Sequence, residues 1–135
     1  MNSALLIAGS VFVGLAAVIH VVIFVMESIL WSRPSTWRRF GLRSQGDAEV
    51  VKPMAFNQGF YNLFLAIGVK LGLLFLWVWN APEVGLALVF LGAGSMVAAA
   101  TVLILSSPKL ARAAALQGLA PLVGIILLVV GLVAA

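Results

Sequence analysis

The sequence predicts an all-α integral membrane protein, a single four-helix bundle, and three observations predict it. Of the 135 residues, 64% are apolar and 9% are charged, with a mean hydropathy of +1.20. A soluble domain carries roughly 25% charged residues, so this chain cannot cover a water-facing surface, and it is far too apolar to be disordered. The apolar residues fall into four runs, each near the ~20 residues that cross a bilayer core. None of the runs shows the period-two alternation of a membrane barrel, which leaves helices to satisfy the backbone inside lipid.

The first helix is expected over residues 4–30, an apolar run broken by His20 and Glu27. It lacks a leading Lys or Arg and exceeds the ~7–15 residues of a signal-peptide apolar region, so it reads as a retained span. Residues 31–53 read as a loop holding Arg33, Arg38, Arg39, Arg43 and Lys52 against Asp47 and Glu49. The second helix is expected over 54–79, with polar opening turns. Asn80-Ala81-Pro82-Glu83 makes a tight connection into a third helix over 82–105, since Asn80 can cap and Pro82 suits a first helical turn. Ser106-Ser107-Pro108-Lys109 repeats that cap-plus-proline start, and the fourth helix runs over 108–135. Four spans and short loops fill the sequence without a second domain.

The net charge of +4 and pI near 10.4 would point to nucleic acid in a soluble protein. Here the cations lie mostly in one loop between apolar stretches, so they orient the chain and no nucleic-acid partner is expected. Loops 31–53 and 106–109 are therefore expected in the cytoplasm of a multi-pass cell-membrane protein, with both termini extracytoplasmic. Trp31 and Trp37 then fall at the inner interface, and Trp77 and Trp79 at the outer one. The absence of cysteine excludes disulfides and thiolate metal sites. The run Trp37-Arg38-Arg39-Phe40-Gly41-Leu42 has two readings: a segment lying on anionic headgroups, or an ordinary basic loop with buried aromatics.

Polar groups within the spans carry the functional reading. His20 and Glu27 are seven residues apart, so on an α-helix they share one face within about 20°. An ionisable group inside a span faces the bundle interior or a water-filled cavity by default. The second helix opens with Asn57, Gln58, Tyr61 and Asn62. Gly68 and Gly72 lie within about 20° of Tyr61 and have the spacing that lets helices approach closely. Tyr61, Gly68 and Gly72 are thus expected to face inward and Lys70, about 180° from Tyr61, outward. Gln117 opens the fourth helix at the same depth. The expected ligand-binding set is His20, Glu27, Asn57, Gln58, Tyr61, Asn62 and Gln117. The alternative is an interhelical hydrogen-bond layer that only locks the bundle. One histidine and one glutamate are too few for a protein-made zinc site, so no metal is expected. No spacing singles out catalytic residues or a cofactor.

The run His20-Val-Val-Ile-Phe-Val-Met-Glu27, then Phe40-Gly41-Leu42 and Asn57-Gln58-Gly59-Phe60-Tyr61-Asn62, resembles a family of small bacterial and fungal membrane proteins. That family is catalogued as domain of unknown function thirteen-oh-four. Gly92-Ala93-Gly94, Ser107-Pro108 and Gln117-Gly118 with Pro121 are similar to it as well. The resemblance implies a four-helix membrane protein with these polar residues and no assigned activity; Lys70 has no place in its pattern. Three functions stay open. The first is a polar site near the cytoplasmic leaflet for a small amphiphile or lipid. The second is a structural accessory subunit, meeting a partner membrane subunit or a second copy. The third is a membrane enzyme using Glu27 or His20 as acid–base.

Overall fold

The computed structural model describes residues 1–134. Helix α1 covers Ser3–Phe24 and continues as a π-helical turn over Val25–Ile29. A short helix α2 at Pro34–Trp37 runs into a 3-10 turn at Arg38–Phe40. The long α3 covers Gln45–Trp77 and α4 covers Pro82–Ser106, and a 3-10 turn at Pro108–Leu110 opens into α5, Ala111–Val133. There is no strand among the described residues. Ser3–Ile29, Gln45–Trp77, Pro82–Ser106 and Pro108–Val133 are each long and apolar enough to cross a membrane. The protein is an all-α membrane bundle in which α1 neighbours α3 and α5, and α4 neighbours the same two, a closed ring in chain order.

Local chemistry explains the ends. Asn2 Oδ1 accepts from the Leu5 N–H at 3.2 Å, and Pro82 and Pro108 occupy first-turn positions where a missing N–H is harmless. Ser44 Oγ accepts from the Asp47 N–H at 3.0 Å, and Asp47 adds a negative charge where the helix dipole favours it. That cap starts α3 at Gln45, nine residues ahead of the helix expected from hydropathy, so residues 45–53 are helix rather than loop. Pro53 sits inside it and forfeits the bond to the Glu49 carbonyl. The cost is small because these turns are polar and exposed.

The main core is built from small and branched side chains, with Val13, Ala16, Val69, Val89, Met96 and Leu128 buried. Glycines set the closest approaches. A methyl on Gly124 would lie 2.6 Å from Val13 Cγ1, and one on Gly85 would lie 2.7 Å from the Gly72 carbonyl, so backbones meet at α1–α5 and α3–α4. Gly68 differs from the sequence expectation: nothing lies within 4 Å of its added methyl, and Gly72 alone of that pair makes a helix contact.

A second, smaller core lies under the basic segment, where Trp31, Trp37, Ala48 and Ala55 are buried. Trp31 Nε1 donates to the Ala48 carbonyl at 2.9 Å, and Trp37 Nε1 donates to Gln45 Oε1 at 3.0 Å. Both rings therefore turn into protein rather than towards headgroups. The segment is a basic surface over buried aromatics, with Arg38 lying 5.2 Å from the Trp37 ring centroid.

Candidate functional site

Glu27 owes its position to the π-helical turn. The Leu30 N–H bonds the Val25 carbonyl at 2.9 Å, an i to i+5 closure that inserts a residue into the helical register. Residues beyond Phe24 are therefore rotated from where an unbroken α-helix would carry them. Glu27 meets α3, where Asn62 Nδ2 donates to its Oε2 at 3.0 Å and to the Gln58 carbonyl at 3.0 Å. Both residues are half-buried.

The α1–α3 crossing at this level is held open to that contact by Gly59. A methyl there would collide with Ser28 Oγ and lie 3.2 Å from Glu27 Cβ and from the Phe24 carbonyl. Ser28 Oγ donates to the Phe56 carbonyl at 2.9 Å, and the Phe24 and Phe60 rings meet edge-on at 5.1 Å. Glu27 thus projects between two spans, beside aromatic rings and one turn from the basic segment. Ser28 and Gly59 were not singled out by sequence reasoning. Gly59 stands inside the Asn-Gln-Gly block, directly after two amides, and that position was the available signal.

The other expected site residues are distributed differently. His20 is 2% exposed, and its Nδ1 lies 2.9 Å from the Ala16 carbonyl of its own helix. It makes no bond to Glu27, which lies seven residues and about 10 Å further along the helix. Asn57 and Gln58 are exposed, and Tyr61 is 56% exposed, so Tyr61 faces outward where an inward position was expected. The inward face of α3 instead runs through Ala55, Gly59, Ala66 and Val69. Gln117 is half-buried on α5. The expected single polar layer is therefore one interhelical pair, Glu27 with Asn62, and a separate buried histidine. Among the described residues no cluster of three or more His, Asp or Glu could hold a metal.

Lys70 is exposed, as expected, although the inward Tyr61 from which that was argued is itself exposed, and Lys70 is not on a featureless face. It lines a groove of about 430 Å³ between α1 and α3, with Gly14, Ala17, Val21, Ile67 and Leu73. Beyond that groove the seam closes again where Trp77 Nε1 donates to Ser10 Oγ at 2.9 Å.

A family model described as Protein of unknown function (DUF1304) matches residues 14–129. That range takes in half or more of each helix and every residue of the expected ligand-binding set. No curated protein and no solved structure matches the chain.

Proposed function

We propose, from the premise that the chain belongs to the DUF1304 family of proteins of unknown function, that it binds a small amphiphile or lipid at Glu27 and Asn62. The observation that carries this reading is the Glu27 carboxylate. It sits at the seam of two helices apolar enough to span a membrane, and Asn62 is its one side-chain hydrogen-bond donor among the described residues. An intramembrane carboxylate is costly and persists where it has a role or a partner. Its Oε1 is free to accept from a hydroxyl or amine head, while Phe24 and Phe60 offer the apolar wall against which a tail would lie. His20, tied to its own helix, is left out of the binding set on this reading, and the acid works with an amide instead of an imidazole.

Native mass spectrometry with lipid extraction on purified wild type and Glu27→Gln tests the reading. Glu27→Gln keeps the shape but replaces an acceptor with a donor, so the folded variant is expected to lose the co-purifying small molecule. Equal retention in both proteins would overturn it, and a stoichiometric second polypeptide in the spectrum would favour the accessory-subunit role.

The orientation belongs to the same proposal: the basic end that holds Glu27 lies in the cytoplasm, and both termini lie outside. A cysteine in place of Gly46, an exposed residue beside the α3 cap, should resist an impermeant reagent added to intact cells. Labelling from outside would reverse the topology.

A further inference from the structure

Next to the basic segment lies a second, smaller cavity of about 240 Å³, lined by Met26, Leu30, Arg33, Ser35, Thr36 and Arg39. Four of its six lining side chains carry hydrogen-bond donors and none is acidic, so the cavity has the chemistry of an anion site. Thr36 is the residue that separates a built site from a chance grouping of surface arginines. It is 5% exposed as a residue, it lines the cavity, and its hydroxyl makes no hydrogen bond among the described residues. No buried side-chain polar atom among the described residues lacks a partner, so this unpaired hydroxyl is the part of Thr36 that stays open instead of being sealed in the core.

The two arginines are also uncommitted. Arg38 stacks on Trp37, and the one ion pair among the described residues is Lys52 with Glu49 on α3. Arg33 and Arg39 therefore bring two free guanidiniums to the cavity, and Met26 and Leu30 form an apolar wall on the side of the first span. Trp37, buried beneath, holds α2 in place through its bond to Gln45.

We propose that this cavity binds the phosphate of a phospholipid headgroup. Arg33 and Arg39 would pair with its oxygens, the Ser35 and Thr36 hydroxyls would donate to it, and the start of the acyl region would rest on Met26 and Leu30. The site shares no lining residue with Glu27 and Asn62, so either reading can fail without the other.

The test uses the full chain in mild detergent, with phosphatidylglycerol as the probe and diacylglycerol of the same chains as its phosphate-free counterpart, read by native mass spectrometry. Wild type should bind one phosphatidylglycerol in clear preference to diacylglycerol. Arg33→Gln with Arg39→Gln should weaken that binding about tenfold or more, each cation near such a headgroup contributing ~1 kcal/mol. Arg43→Gln with Lys109→Gln removes the same charge from outside the cavity and should leave binding unchanged. Thr36→Val, which keeps the side-chain shape, should weaken it by a smaller factor, and Glu27→Gln should have no effect. Equal losses in the two double variants would show charge attraction without a site and overturn the proposal. Displacement of the lipid by inorganic phosphate at comparable concentration would make the occupant a free anion and overturn the lipid assignment.

Discussion

Helix α1 has two seams, and they are built to opposite rules. Against α5 it is dry and tight. A methyl on Gly9 would meet Leu128 at 2.8 Å and the Gly124 carbonyl at 3.0 Å, and the Asn2 N–H donates to the Gly131 carbonyl at 2.8 Å. Against α3 the same helix makes its contact through side chains: Ser10 with Trp77 at one end, Glu27 with Asn62 and Ser28 with the Phe56 carbonyl at the other. A groove lies between those ends. Without water to drive apolar association, membrane helices hold together by close packing or by interhelical hydrogen bonds. The α1–α5 seam uses the first, and the α1–α3 seam spends part of its length on the second. Only the looser seam leaves polar side-chain atoms and a groove between its helices.

The comparison breaks first if the dry seam tolerates bulk. Gly124→Leu should destabilise the bundle by about 3 kcal/mol or prevent folding, because overpacking against Val13 and the α1 backbone has no room to relax. Denaturant titration in detergent reads the loss. Gly59→Ala is the matching insult on the other seam. The atom in its way is the movable Ser28 hydroxyl, so a cost of about 1–2 kcal/mol is expected, with loss of the Ser28 bond to Phe56. A larger effect at Gly59 than at Gly124 would invert the assignment of roles.

Asn62→Ala sharpens the comparison further. It removes the donor to Glu27 and should cost ~0.6 kcal/mol in stability, the average for an interhelical hydrogen bond in a membrane. If the proposed binding role holds, retention of a co-purifying amphiphile should fall far more than stability does; parallel changes in both would make the pair structural only. The smallest effect is expected at Gly68→Leu, within about 0.5 kcal/mol, since its added methyl meets nothing within 4 Å. A destabilisation as large as at Gly124 would restore a packing role for Gly68.

Reading the chain as a string of local sums succeeded where the property is itself a local sum. Four apolar runs are enough to fix the number of spans, and all four are present as helices. The Asn-Gln-Gly block and Glu27 were legible as the unusual polar content at one end of the bundle, and Asn62 with Glu27 came from that set. The start of α3 was not legible from hydropathy because residues 45–53 are polar. Their helicity comes from the Ser44 cap and from packing Ala48 and Ala55 beneath Trp31 and Trp37.

Sequence by itself determined the class, the four crossings and the short list of polar residues, because burial in lipid is decided by composition over about twenty residues at a time. Which of those residues meet was decided by tertiary structure alone. The face a residue presents depends on every turn before it, and the π-helical turn at Val25–Ile29 re-aims the residues beyond Phe24, where Glu27 meets Asn62. The same holds for α3, where the sequence points Tyr61 inward and the inward line runs instead through Gly59, Ala66 and Val69. An apolar helix carries no contrast between its faces that a sequence could reveal, so only the approach of a neighbouring backbone, close at Gly59 and absent at Gly68, selects the side that packs.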